Sequence, residues 1–213
     1  MNPNVRSMLE DIYGAFKKKF QNPGKSWDYF IDFLAGDNYA PLILQFNHKF
    51  EWLFQEKDIT KAILEHYDPL LLESDYHDHL GDMYMEHFPG KSNGHIANSA
   101  FMTKNIEELL KDSIKEKQAQ PRSILDAHAG TGRFLMYIHQ SLPNCRLFGI
   151  ESNLRIMRIA LINMAIHEIP VCLLHADIAK HAYDIANEDG YYNWQYANNW
   201  YSCMDKLKPL NNH

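Results

Sequence analysis

The segment Ser-Ile-Leu-Asp-Ala-His-Ala-Gly-Thr-Gly-Arg-Phe-Leu at residues 123–135 constrains this chain more than any other. An apolar run ends on Asp126, a tight loop of small residues carries Gly130 and Gly132, and an amphipathic pattern begins at Arg133. That order predicts strand, turn and helix. Glycines in such a loop permit positive φ and let backbone approach a ligand closely. The carboxyl end of a strand in an open sheet is where such folds bind ligands. The Asp-x-x-x-Gly-x-Gly form is not the dinucleotide Gly-x-Gly-x-x-Gly, because position 135 is Leu. It also lacks the Gly-Lys-Ser/Thr of a phosphate loop. A carboxylate beside the loop repels a pyrophosphate and attracts a cation.

Beyond Pro121 short apolar runs alternate with helical stretches. Strands are expected at Ser123–Ala127, Arg146–Ile150 and Val171–His175, with a fourth at Tyr192–Ala197. Helices are expected at Arg133–Ser141 and Leu154–His167. Strands separated by helices of this length indicate a parallel sheet with right-handed crossovers. Two further acids fall at strand ends. Glu151 closes the second strand, where an acceptor binds ribose hydroxyls. Asp177 closes the third, where it can accept from an adenine amino group while Ile178 packs on the base. The bland alternative is that such acids only cap the helices that follow. One acid would leave the two readings balanced; three at successive strand ends after a glycine loop favour a ligand.

Residues 1–120 read as helical, with apolar spacings of three and four in Val5–Phe20, Trp27–Leu34, Pro41–Phe54, Ile59–Leu72 and Ile106–Ile114. Pro23-Gly24, Gly36-Asp37-Asn38 and Pro89-Gly90 read as breaks, Ser26 and Asp58 as N-caps, and Lys91–Asn98 as a loop. The division expected is a helical region at 1–118 and a Rossmann-like α/β core at 119–213. The net charge of −6 excludes the strongly basic balance of an autonomous nucleic-acid binder. Basic and acidic residues balance in 121–213, so the excess acid lies in 1–120. Cys145, Cys172 and Cys203 are scattered and form no CxxC pair, which speaks against a disulfide framework or a cysteine zinc site. No apolar run spans a membrane and no signal peptide is read, so a cytoplasmic setting is expected. Asp75, His77, Asp78, His79 and His87 read as a solvated polar face rather than a metal site, and no metal is expected. Lys17-Lys18-Lys19 reads as a solvated helix face, and Trp27, Tyr29, Phe30 and Phe33 as helix core. No nucleophile-plus-base pattern stands out in the linear order.

The glycine loop and its three acids resemble the class I S-adenosylmethionine (SAM) dependent methyltransferases. Asp126–Leu135 is similar to the Asp-Pro-x-x-Gly-Thr-Gly-x-Phe-Leu signature of adenine-N6 DNA methylases, as in modification subunits of type I restriction systems, with Ala127 in place of Pro. Asp78-His79-Leu80-Gly81-Asp82-Met83-Tyr84 resembles the Asp-x-Leu-Gly-Asp-x-Tyr helix that precedes the methylase core. Gly94 through Phe101-Met102-Thr103-Lys104 and Leu109 resembles the Gly-x-Phe-Tyr-Thr-Pro stretch, whose Thr contacts the methionine end of SAM. Lys104 replaces its Pro, and the loop is longer. The resemblance covers about residues 75–201. It implies SAM as cofactor, held by Phe101, Thr103, Asp126, Ala127, His128, Ala129, Gly130, Thr131, Gly132, Glu151, Asp177 and Ile178.

The family's catalytic Asn/Asp-Pro-Pro-Tyr/Phe holds the target amine by a polar side chain and a backbone carbonyl, and stacks an aromatic ring on the flipped base. Asn198-Asn199-Trp200-Tyr201 stands in its place: Asn198 and Tyr201 are kept and both prolines are lost, which loosens the carbonyl geometry. The family normally adds three more strands and a target-recognition domain, whereas twelve residues follow Tyr201. A half sheet leaves an exposed edge. Three explanations stay open: the helical region covers the edge, a second chain completes the sheet, or the protein is a remnant that binds SAM only. Two functions are therefore expected in competition. One is a SAM-dependent methyltransferase acting on adenine N6 in DNA, with a partner subunit supplying recognition. The other is a catalytically degenerate SAM-binding subunit or interaction module. Methylation of RNA or of a protein amine is a third reading.

Overall fold

A computed structural model describes residues 2–38, 50–89, 123–177 and 200–202. The first region holds α1 (Pro3–Phe20), α2 (Pro23–Asn38), a 3₁₀ turn (Phe50–Gln55), α3 (Lys57–His66), α4 (Pro69–Ser74) and α5 (His79–His87). The second holds β1 (Ser123–Asp126), α6 (Arg133–Ser141), β2 (Arg146–Glu151), α7 (Leu154–Ile166), β3 (Val171–His175) and β4 (Trp200–Ser202). The helical region followed by a Rossmann-like α/β unit is thus present among the described residues.

Several expected breaks fall elsewhere. Pro23-Gly24 lies inside the first turn of α2, because a proline at N1 gives up no intrahelical bond. Asn22 rather than Ser26 starts that helix: its side chain accepts from the Lys25 amide and its carbonyl from Ser26. Gly36-Asp37-Asn38 is helical and forms the last residues of α2. Ile59–Leu72 is two helices, since Pro69 forces Asp68 into extended backbone and Asp68 caps the Leu71 amide. Asp58 sits in the first turn of α3, after Glu56 at the N-cap. Residues 41–49 of the expected Pro41–Phe54 segment, and all of Lys91–Asn98, Ile106–Ile114 and Tyr192–Ala197, lie outside the described residues.

The sheet has the order β1-β2-β3-β4, with β1, β2 and β3 parallel. β4 departs from the all-parallel expectation: it pairs antiparallel with β3, Tyr201 opposite Leu173 and Trp200 opposite Leu174. α7 explains how the two regions join. Its sequence is apolar nearly all round, and a helix of that kind must be covered on every side. Ile156, Met157, Ile159, Ala160, Leu161, Ile162, Met164 and Ile166 are all buried, with β2 and β3 on one side and α2 and α5 on the other. Each of the Ile, Leu and Met side chains contributes roughly 1.5–3 kcal/mol on full burial. Arg155 pairs with Asp28 and Arg158 with Asp32, fixing α7 against α2.

The helical core is aromatic, as its spacing predicts. Tyr13 meets the Trp27 ring edge-on with centroids 5.3 Å apart, and Phe20 stacks on Tyr29 at 4.4 Å. Lys17, Lys18 and Lys19 pair with Glu10, Asp58 and Glu56, so the basic run is a solvated helix face. No helix among the described residues is long and apolar enough to cross a membrane.

Candidate functional site

The loop after β1 takes its shape from two glycines with positive φ, 55° at Gly130 and 81° at Gly132. Gly132 is the N-cap of α6, and it has a second reason to be glycine. A Cβ there would stand 2.5 Å from the end of Met164 and 3.3 Å from the Ala160 Cβ, both on α7. The close approach at this position is therefore to a packed helix. The Ala129 amide donates to the Ile150 carbonyl and the Gly132 amide to the Ala129 carbonyl, both internal to the loop and β2.

Asp126 ends β1 half-buried, and Oδ1 accepts from the His128 amide at 3.0 Å. Burial, and secondarily the neighbouring Glu151 charge, raises its pKa above the usual aspartate value. A desolvated carboxylate next to another is relieved by a cation. Glu151 is 3% exposed at the end of β2. Oε2 accepts from the Gly130 amide at 3.0 Å, and Oε1 from the Asn153 amide at 2.7 Å. Neither acid is itself an N-cap: Asn153 caps α7 with its own side chain, and α6 has no side-chain cap. Asp177 lies two residues past β3, partly exposed. Parallel pairing brings the ends of all three strands, and so Asp126, Glu151 and Asp177, to one edge of the sheet.

Ala127, His128, Ala129 and Thr131 lie in the loop as expected. His128 is exposed, whereas Ala129, Gly130 and Thr131 are buried. Phe101, Thr103, Ile178 and Asn198 lie outside the described residues. The backbone of Tyr201 is on β4, three strand spacings or about 14 Å across the sheet from β1. β4 begins opposite Leu174, toward the edge that carries the three acids.

The histidine and aspartate cluster upstream is not the solvated face expected. His79 is 1% exposed and its Nε2 lies 2.7 Å from Asp75, while His77 lies 2.7 Å from Asp82. Each imidazole is turned to a carboxylate, His87 to Glu10 likewise. No group among the described residues could hold a metal ion. Asp78, expected on that solvated face and in a helix motif, instead reaches the loop directly; its buried carboxylate contacts Thr131 and Arg133. Asp78 is also the N-cap of α5, accepting from the Gly81 amide.

A sequence model of the family described as N-6 DNA methylase matches residues 75–202. Among solved structures, one from Listeria monocytogenes named as a candidate class I S-adenosylmethionine-dependent methyltransferase is 17% identical, with a TM-score of 0.48. That likeness covers 80% of this chain and 54% of the other, so the chain spans about half the length of that structure. No curated protein matches.

Proposed function

Because this chain belongs to the N-6 DNA methylase family, we propose that it binds SAM at the loop after β1 and transfers the methyl group to adenine N6 in DNA. The observation that carries this reading is Asp126: a half-buried carboxylate with a raised pKa, beside a loop of two positive-φ glycines at the open edge of a parallel sheet. Such a group fits a ligand bearing an ammonium and a sulfonium. It fits a pyrophosphate badly, because Asp126 and Glu151 would repel it.

In this reading Asp126 receives the cationic methionine end, with Phe101 and Thr103 beside it. Glu151 holds the loop through the Gly130 amide and faces the ribose hydroxyls. Asp177 accepts from the adenine amine, and Ile178 packs against the base. The bound sulfonium supplies an electrophilic methyl group, so the protein mainly positions the reactants. Asn198 and Tyr201 hold the target amine, Asn198 by hydrogen bonding and Tyr201 by stacking on the flipped base. A partner subunit supplies sequence recognition, consistent with a chain whose net charge is −6.

Calorimetric titration with SAM, wild type beside Asp126→Ala, tests the cofactor site. The wild type is expected to bind and the variant to bind at least tenfold more weakly, about 1.4 kcal/mol. A wild type that does not bind SAM rejects the reading for this chain. Binding without transfer of labelled methyl to adenine-containing DNA, with and without candidate subunits, would leave the cofactor site and reject the enzyme.

A further inference from the structure

Asp78 is 2% exposed, and four donors from four places in the chain converge on its carboxylate. Oδ1 accepts from the Gly81 amide and from Asn163 Nδ2, both at 2.7 Å. Oδ2 accepts from Thr131 Oγ1 at 2.5 Å and from Arg133 Nε at 2.9 Å. Two oxygens offer about four acceptor directions, so these partners fill the group. Arg133 also reaches Asp82 at 2.5 Å, and Asn163, buried on α7, donates a second time to the Thr131 carbonyl at 2.9 Å.

An N-cap needs only the first of these bonds. Of the other three, two come from Thr131 and Arg133, the residues on either side of Gly132, and the third from Asn163, which also holds the Thr131 carbonyl. Gly81 shows how closely the helix is fitted to this task. A Cβ there would stand 2.2 Å from Asp78 Oδ2, so the first turn of α5 keeps a glycine despite a helix-propensity cost of about 1 kcal/mol. The charges are also arranged to last. Burial opposes ionisation of Asp82, but the His77 hydrogen bond and the Arg133 charge hold its pKa at about 2.

We propose that Asp78 is a positioning residue for the cofactor loop: reaching across from α5, it clamps Thr131 and Arg133 and thereby sets the loop shape that the ligand meets. Only the identity of the ligand rests on the function proposed above. The clamp is a property of the ligand-free protein.

The test is amide hydrogen exchange of Ala129, Gly130 and Gly132, read beside the β2–β3 ladder amides, together with the SAM dissociation constant. Thr131→Val keeps the side-chain shape and removes the donor. It should speed loop exchange about tenfold with the ladder unchanged, and weaken SAM about tenfold. Thr131→Ser restores the donor and should recover most of both. Asp78→Asn also disturbs the Arg133, Gly81 and Asn163 contacts and should speed loop exchange at least as much as Thr131→Val, and the double variant should be no worse than Asp78→Asn alone, since the Thr131 contact is already broken there. Loop exchange that stays at the wild-type rate, or rises only in step with the ladder, overturns the proposal; so do additive losses. If the wild type fails to bind SAM, the function proposed above falls, and loop exchange alone decides the clamp.

Discussion

Glu151 accepts from the Gly130 amide at 3.0 Å, so the end of β2 holds the loop that follows β1. The same carboxylate accepts from Asn153 at the start of α7. One buried acid therefore sets the spacing between the loop and two neighbouring elements. Glu151→Gln keeps the size but turns a donor toward one of these amides. A buried amide left without an acceptor costs about 1–3 kcal/mol. Urea unfolding should show that loss, and an unchanged midpoint would mean that the contact is dispensable.

Gly132→Ala combines two penalties. An alanine at φ 81° costs roughly 1–2 kcal/mol, and its Cβ would press on Met164 and Ala160. A destabilisation of about 2–3 kcal/mol is expected from thermal or chemical melts. The Met164 side chain is flexible and can give way, so Gly132→Val, which presses harder, should cost more than Gly132→Ala.

The two ion pairs between α2 and α7 should differ in weight. Arg158 and Asp32 are nearly buried, and burial lowers the Arg158 pKa. Asp32→Ala removes the paired carboxylate from a nearly buried guanidinium and should cost about 3–5 kcal/mol. The Arg155–Asp28 pair is bidentate at 2.7 Å but partly exposed, and Asp28→Ala should cost about 1 kcal/mol or less. Equal losses in urea titrations would contradict this ordering.

Stability should fall with acid well before the carboxylates titrate. Burial lowers the His167 pKa to about 4, with His79 adding to the shift, against about 6.5 in an unfolded chain. The unfolded state therefore binds more protons between those values, and stability rises with pH across that window. His79, also lowered chiefly by burial, acts in the same direction. The melting temperature should be flat from pH 7 to 8 and drop between about 6.5 and 4. His167→Phe, which keeps a ring against Tyr76, should flatten part of that slope. A profile identical to wild type would show that His167 titrates normally.

Much of the sheet unit could be read from local pattern. α6 and β3 have the expected bounds, and β1, β2 and α7 differ by one residue at an end, because each is bracketed by a glycine loop, a proline or an Asx cap. The helical region was legible as helices but less so at their boundaries. Proline and glycine there read locally as breaks, whereas Pro23 opens α2 and Gly36 is carried within it, held by aromatic packing that local propensity does not see.

The sequence by itself determined the strand–loop–helix unit, the acids at the strand ends and the aromatic core, because these follow from periodicity and from what a residue type permits in its own backbone. Only the tertiary structure decided which partners those groups take. Glu151 meets Gly130 across 21 residues, Asp78 meets Thr131 across 53, and Gly132 makes room for Met164 and Ala160 of α7. It also set β4 antiparallel against β3. These pairings depend on how helices and strands lie in space, and a buried acceptor bonds to whichever donor the packing brings within about 3 Å, a distance that sequence separation does not encode.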